Sequence, residues 1–561
     1  MASLLPPWLD GYGPKAAIAD GVAGVILAVL LVPQAMAYAL LAGLPPEAGL
    51  YTAMIPPLLY AVFGLSAFVS VGPVALASLL VADAIGSSGM EPMQAAAIIA
   101  IETGAILLLL GLFKLGRLVN FISEPALLGF TAAVALLIAA SQLPALLGVE
   151  AARSGNLVDA AQGLLGAGLP NWPTLALGAG VLALILLGDR YAGPGLWRIG
   201  IRPPFRLPLV KSIPLLALVA AGVAASMLSL EVARVDEPGG GPPTLTLPPL
   251  SPGPWLALAL DSLIVAILVF ATGTAVAKSL SARRRAPLDT NREAIAVGAA
   301  NVAAGLTGGY ATGVSLSRSA LVFDSGGRSP LATAFAGLIV LPVTLYGGPI
   351  LAQLPEAALA ALVISAVFGL IKLREIREVW SHSRAEAGVL GVTFVATLVL
   401  GVQWGLLTGT LAGIAAFLWF SSLPRITRLG RAGEGDIFRS VDRDEVEVDT
   451  LPVLPIRIDR SLYFGNVAHC EERILSLLSR HKDIRCVLLD MRSVNDIDAS
   501  GIRMLSRLCE NIEEKDLRIG FAALHAPVKE ALDSCGKARL APYYVTVEEG
   551  VDTMREECGA D

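Results

Sequence analysis

Twelve apolar runs, each near bilayer-crossing length, crowd the first 424 residues. They lie near 16–42, 48–64, 93–114, 124–148, 173–188, 212–230, 255–277, 293–307, 331–347, 355–371, 386–402 and 404–421. A membrane helix needs about 20 apolar residues. Two more stretches, about 74–86 and 317–324, follow Gly/Ser-rich or Pro-containing segments and are too short to span alone. The pattern therefore predicts a polytopic α-helical membrane domain of fourteen segments. No basic segment precedes a short apolar run with a cleavage site, so no secretory signal peptide is expected.

Charge divides the chain at the same place. Residues 1–424 carry 21 Lys+Arg and 21 Asp+Glu, whereas the 137 residues from 425 to 561 carry 20 and 26. The second part reads as a soluble domain of ordinary size. Only 16% of the whole chain is charged, against about 25% in soluble globular proteins, which excludes an ordinary soluble enzyme and a disordered chain. A net charge of −6 lacks the basic footprint of a nucleic-acid binder. All five cysteines, Cys470, Cys486, Cys509, Cys535 and Cys558, fall in the second part. An odd number without metal-ligand spacing predicts reduced thiols in a cytosolic compartment.

Lys and Arg set the orientation. With the N-terminus inside, the inner loops hold 17 basic residues, among them Arg283, Arg284, Arg328, Lys372, Arg374, Arg377 and Arg384, and the outer loops hold only Arg153 and Arg234. Both termini and the soluble domain are thus expected in the cytoplasm.

The two short elements are third and tenth. A spacing of seven makes corresponding elements run in opposite directions, the mark of an inverted repeat with broken helices meeting at the midplane. The third opens with Ser70-Val71-Gly72-Pro73-Val74-Ala75 and the tenth with Gly313-Val314-Ser315-Leu316-Ser317-Arg318. Pro73 suits the first turn of a helix. Two facing helix N-termini, each with free N–H groups and partial positive charge, make an anion site. Arg318 adds a full charge and is the only Lys or Arg placed within the membrane body; a snorkelling or carboxylate-paired arginine is the bland alternative. Ser315 and Ser317 read equally as ligand donors or helix caps. In the first element Pro33 suggests a kink. Gln34 and Tyr38, four apart, share one helical face and can donate hydrogen bonds to an anion, or serve as interhelical glue and packing.

These residues carry a family resemblance. The runs PQAMAYALLAGLPPEAGLY (33–51), FGLSAFVSVGPVALASLL (63–80), GRLVNFISEPALLGFTAAVALLI (116–138) and TGVSLSRSAL (312–321) together resemble the SulP (sulfate permease) family of anion transporters, to which prestin-like proteins belong. The resemblance implies two inverted seven-helix repeats forming core and gate domains, often in a homodimer. It also implies an anion site between the third and tenth helices, with Gln34, Tyr38, Ser317, Arg318 and the amides around Val74 and Ala75 at or near it. Many prokaryotic and plant members carry an acidic residue in helix eight, linked to proton or sodium coupling. The matching position here is Thr272. The nearest carboxylate of that helix, Asp261, is eleven residues earlier, about 16 Å along the axis. Prestin-like members resemble this chain in lacking the acid. Exchange, uniport and channel-like conduction stay open, as does a shifted proton site at Glu102 or Asp83.

After a basic stretch (Pro424–Arg431) suited to the inner membrane surface, residues 425–450 read as a linker and 451–561 as an α/β domain, with strands at Val453–Ile458, Cys486–Leu489 and Arg518–Ala522 and amphipathic helices at Glu471–Ser479 and Ile502–Asn511. Asp490–Gly501 resembles the strand–loop–helix of STAS domains, similar to bacterial anti-sigma-factor antagonists, in which the serine matching Ser500 can be phosphorylated. Asp498 or Ser500 also fits a simple helix cap. His382, His469, His481 and His525 are scattered.

No phosphate loop, metal-ligand cluster or nucleophile triad is present in the sequence, so neither enzyme, metal nor cofactor is expected. The leading expectation is a gradient-driven carrier of small inorganic anions (sulfate, bicarbonate or chloride) in a bacterial plasma membrane, working by elevator-like alternating access. Small dicarboxylates are an alternative substrate. A nucleobase permease would need carboxylates in helices eight and ten, where this chain has Thr272 and Ser317-Arg318. A membrane-anchored sensor signalling through its STAS domain to a cytoplasmic protein partner is the reading from another class.

Overall fold

A computed structural model describes residues 7–9, 12–117, 122–151, 156–198, 206–239, 241–284, 288–431, 437–441, 451–481, 483–534 and 541–559. The chain forms two compact units, Met1–Ile414 and Ala415–Asp561.

In the first unit the helices are α1 (Pro14–Ala42), α2 (Pro46–Phe63), α3 (Ala75–Ser88), α4 (Pro92–Leu112), α5 (Glu124–Leu147), α6 (Leu157–Gly166), α7 (Trp172–Arg198), α8 (Arg206–Lys211), α9 (Ile213–Met227), α10 (Pro252–Arg284), α11 (Thr290–Leu306), α12 (Leu316–Asp324), α13 (Leu331–Tyr346), α14 (Gly348–Leu351), α15 (Glu356–Phe368), α16 (Leu373–His382) and α17 (Arg384–Leu400), with α18 (Val402–Ser422) running across the boundary. Setting aside α6, α8, α14 and α16, which are short surface or connecting helices, fourteen remain among the described residues, in step with the expected segments. The ends carry ordinary signals. Proline sits in the first turn of α1, α2, α4, α5 and α9, where its missing N–H costs nothing. Side chains of Glu91, Ser123, Asp289 and Ser383 cap α4, α5, α11 and α17. Pro33 lies within an unbroken α1.

Small residues bring helices of the two repeats close. α4 packs on α11, and α1 on α13. A Cβ at Gly104 would lie 2.6 Å from the Gly298 carbonyl oxygen, and one at Gly298 would lie 2.9 Å from that of Gly104. Such close backbone approach is how helices associate where no hydrophobic force drives them. Two buried carboxylates tie loops to helices. Asp20 of α1 accepts from the amide and hydroxyl of Ser329 at 3.1 and 2.6 Å and from the Tyr12 hydroxyl at 3.0 Å. Glu293 of α11 accepts from the Tyr60 hydroxyl at 2.7 Å and the Ser66 amide at 2.9 Å.

Two short strands, β1 (Val71–Gly72) and β2 (Gly313–Val314), pair antiparallel. The helical periodicity of the sequence held no sign of them. The second unit contains β3 (Ile426–Arg431), β4 (Phe438–Ser440), β5 (Val453–Ile458), α19 (Val467–Arg480), β6 (Cys486–Asp490), α20 (Ala499–Glu513), β7 (Arg518–Ala522), α21 (Ala526–Asp533), β8 (Tyr543–Tyr544) and α22 (Val547–Gly559). The sheet order is β4-β3-β5-β6-β7-β8, and β5 to β8 are parallel. Alternation along β6 sends Val487 and Leu489 into the core under α19, α20 and α21, and Cys486 and Leu488 into the core under α22, as the two-residue period of a strand requires. Strands β3 and β4 fall between residues 425 and 450.

One expectation is corrected here. Cys486 and Cys558 form a disulfide between β6 and α22, with Cα atoms 6.6 Å apart. Residues 72 apart in sequence meet because α22 folds back over the sheet, which no spacing rule reveals. Cys470 and Cys509 are free and buried, and burial pushes each thiol up to about 12. Cys535 lies outside the described residues.

The Gly104–Gly298 contact carries a prediction. Gly104→Val should destabilise the protein by about 1–3 kcal/mol through overpacking, seen as a lower Tm of the purified protein, while Gly86→Ala, within α3 and with a Cβ that meets nothing, should not lower Tm and should raise it slightly.

Candidate anion site at two broken helices

The chain enters α3 and α12 from opposite directions through β1 and β2. Val71 pairs with Val314 and Gly72 with Gly313, and the Ser315 amide donates to the Ser70 carbonyl at 3.0 Å. Glycine is required on both sides. Gly72 has φ +154, and a Cβ on it would lie 3.3 Å from Arg318 Nη2; a Cβ on Gly313 would lie 2.8 Å from Val74 Cγ2. The crossing thus places the N-termini of α3 and α12 at one centre.

At α3, Val74 is the N-cap and offers no side-chain cap. The first intrahelical bond runs from Ser78 N to Val74 O, so the amides of Ala75, Leu76 and Ala77 precede the ladder, as at any helix start. Pro73 lies outside the helix, not in its first turn as expected. Its carbonyl turns inward to accept from Arg318 Nη1 at 2.8 Å, and one more helical residue would remove that acceptor. At α12, Ser315 is the N-cap, accepting from the Arg318 amide at 3.4 Å, and its hydroxyl lies 3.3 Å from that of Ser317. Ser317 is exposed and Val74 and Ser315 half-buried, so the centre is open to solvent on one side.

Arg318 itself is 0% exposed. Nε donates to Ser70 Oγ at 3.3 Å, and Nη2 is buried with no partner. Among the described residues it makes no ion pair, so neither snorkelling nor a carboxylate partner accounts for it. Gln34 and Tyr38 are buried on α1, and Oε1 of Gln34 is also without a partner. Tyr38 lies within electrostatic reach of Arg318.

Three participants escaped the sequence reading. Ser70 holds the guanidinium. Tyr310, fully buried, meets Ser78 Oγ at 3.0 Å with its hydroxyl. Asn301 of α11 clamps the approach to α12, accepting from the Thr312 amide at 2.8 Å and donating to its carbonyl at 3.1 Å. A tyrosine in a glycine-rich run and an asparagine within the alanine-rich body of a helix were the available signals.

Among the coupling candidates, Thr272 precedes Gly273, where a Cβ would lie 3.1 Å from Val314 Cγ2 of β2. Thr272 donates to the Leu268 carbonyl of its own helix at 2.8 Å. Glu102 of α4 accepts from Ser262 Oγ at 2.7 Å, and Asp261, held by Gln403 of α18, is within electrostatic reach of both Glu102 and Asp83. In the second unit, Asp498 is the N-cap of α20, accepting from the amides of Ser500, Gly501 and Phe464, each at 2.8 Å. Ser500 Oγ accepts from Arg503 at 3.2 Å. The cap amides that would favour a phosphate on Ser500 are therefore already occupied by a carboxylate.

The comparisons agree with this architecture. Residues 18–393 match the model of the sulfate permease family and 445–550 that of the STAS domain. The chain is 30% identical to sulfate transporter 4.1, chloroplastic, of Arabidopsis thaliana over 95% of this chain and 79% of that protein. It is 31% identical to a probable sulfate transporter of Mycobacterium tuberculosis over 94% and 91%. Its fold is similar to murine Solute Carrier 26 family member A9, an anion transporter in the inward-facing state, with TM-score 0.87 at 22% identity over 99% of this chain and 94% of that one. It is also similar to the transmembrane domain of a cyanobacterium bicarbonate transporter, with TM-score 0.60 over 72% and 98%. Fold and matches define a multi-pass membrane transporter of the anion-carrying class. The chain belongs to the sulfate permease family and carries a STAS domain at its C-terminal end.

The Asp498 cap carries a pH prediction. Burial pushes its carboxyl up, but the amides of Gly501, Phe464 and Ser500, together with the Arg503 charge, outweigh burial and hold it below the ordinary range. Its stabilisation is full above the unfolded value of about 4 and is lost as pH falls through the lower folded value. In melts of a fragment beginning after α18, Asp498→Ala should cost about 1 kcal/mol at neutral pH and progressively less in acid. Asp498→Asn should keep the cap without that acid dependence.

Proposed function

We propose that the chain is a secondary transporter of small inorganic oxyanions, sulfate first, with residues 1–424 as the transport domain and 451–561 as the STAS domain. The observation that carries this reading is Arg318: a fully buried guanidinium, unpaired at Nη2, between two helix N-termini. An uncompensated buried charge is costly, and an anion is the natural counter-charge. Each helix end contributes roughly half a positive charge, so with Arg318 the centre holds about two. That balance favours a divalent oxyanion over chloride. The amides at Ala75 and Leu76, the Ser317 hydroxyl, Tyr38 and the Gln34 side chain supply the donors, with Ser315 shaping the cap and Val74 the wall. Sulfate is also the substrate that the names of the curated relatives carry. Small dicarboxylates fit the same charge and are the alternative.

In this reading α3 and α12 travel with their neighbours in an elevator-like movement against a gate containing α5, α7, α15 and α17, in a homodimer, with both termini in the bacterial cytoplasm; the 17-to-2 split of basic loop residues supports the orientation. The absence of a carboxylate at Thr272 favours exchange over cation symport through that position. Where flux is proton-driven, Glu102, with Asp261 and Asp83 nearby, carries the proton. Ser500 is the regulatory position in the STAS domain, and a sensor role is the competing use of that domain.

The test is uptake of labelled sulfate and bicarbonate into proteoliposomes. Arg318→Ala should weaken binding about 10- to 100-fold, the worth of a charge-assisted hydrogen bond of about 1.5–3 kcal/mol. Arg318→Lys should recover part of it, since the ammonium keeps charge but not the fork. No anion flux at all, with Arg318→Ala indistinguishable from the parent, would sink the carrier reading; sulfate flux in Arg318→Ala equal to that of an active parent would overturn the role of Arg318. Counter-anion should drive uptake more strongly than a pH or sodium gradient. If a pH gradient dominates, Glu102→Gln should abolish the acceleration and leave counter-anion exchange intact.

A further inference from the structure

Helix α16 has an apolar face that the first unit covers only in part: Ile376 and Val379 are half-buried against α5 and α17, while Leu373 and Trp380 are exposed. None of its residues is buried. Leu373 is 73% exposed and Trp380 65%. At 100° per residue, Leu373, Ile376, Val379 and Trp380 fall on one side and Arg374, Arg377, Glu378 and Ser381 on the other. Two ion pairs lie outside the apolar stripe, Arg374 to Glu378 on the polar side and the N-cap Lys372 to Glu375 at its flank, both at 2.9 Å.

The chain holds this helix close to the membrane. Four residues, 369–372, join it to α15, and one, Ser383, joins it to α17. Ser383 is extended and serves as the N-cap of α17. Both flanking helices are apolar segments of the membrane unit, and α16 rests against α5 and α17. A ten-residue helix is about 15 Å long, so no part of it is far from the ends of α15 and α17. Phe368, the last residue of the otherwise largely buried α15, is 48% exposed and precedes Leu373 by five residues. The charged residues of α16 keep it from crossing, while Leu373 and Trp380 stay exposed beside the ends of two membrane helices. A helix with this division lies in the interface plane, apolar face down, and tryptophan favours that depth.

We infer that α16 is an interfacial helix seated on the basic-loop leaflet, with Leu373, Ile376, Val379 and Trp380 among the first acyl carbons of phospholipids and Lys372, Arg374 and Arg377 at the headgroups. It anchors α5, α15 and α17 to that leaflet. The membrane reading is enough to support this; the substrate and the mode of transport do not enter.

The experiment uses the full chain in nanodiscs of phosphatidylcholine carrying a diazirine near the head of the acyl chain. Photolysis and peptide mapping should label Leu373, Ile376 and Trp380 and spare Arg374 and Glu378. Phe417 and Trp419 of α18, both exposed, are the positive control. In a second measurement, the emission that distinguishes the parent from Trp380→Phe should be lost when shallow dibrominated phosphatidylcholine replaces the plain lipid. Labelling of α18 without labelling of α16, or Trp380 emission untouched by brominated lipid, would overturn the proposal and mean that protein or water covers this face.

Discussion

Four residues crossing in the middle of the membrane unit set the terms for everything around them. A helix broken inside the hydrocarbon leaves backbone N–H and C=O groups without helical partners, and lipid offers them none. The antiparallel pairing of Val71-Gly72 with Gly313-Val314 answers that problem for both breaks at once. Each repeat supplies the partner the other lacks, which makes neither half complete alone. The same pairing demands glycine at two positions, aims two helix starts at one point, and brings Pro73 to within reach of a side chain 245 residues away.

Buried charge in the membrane unit is arranged with a clear asymmetry. Asp20 and Glu293 are both buried, and each accepts several hydrogen bonds from loop amides and hydroxyls. They substitute for water at turns, with both oxygens of each carboxylate engaged. Arg318 is buried as completely but is tied only by neutral oxygen atoms, with one nitrogen unspent. Satisfied acids hold the scaffold and an unsatisfied cation marks the centre. The hydroxyl of Thr272, turned onto its own helix, adds no charge there.

The STAS domain shows how a small cap can decide between two roles. The Asp498 carboxylate fills the amides at the start of α20, and Ser500 beside it already meets Arg503. A phosphate added at Ser500 would gain the arginine and meet the carboxylate, so attraction and repulsion oppose each other at one helix end.

Much of this was legible in the residues themselves. Apolar run lengths marked the segments, the seven-element offset of the short ones marked the inverted repeat, and Arg318 stood out because charge in an apolar run is rare. Single-chain patterns of this kind follow from local rules: helix length, periodicity and the cost of charge in lipid. What the linear pattern did not hold were contacts between residues far apart. The β1–β2 pairing, the Pro73 carbonyl as acceptor, the Tyr310–Ser78 and Asn301–Thr312 bonds and the Cys486–Cys558 disulfide each join segments whose meeting depends on how whole helices or strands pack. Composition and spacing alone thus determined a broken-helix membrane protein with a basic centre and an α/β tail. Tertiary structure decided which donors face that centre, because satisfying a buried polar atom depends on what stands within 3 Å of it and not on what precedes it in the chain.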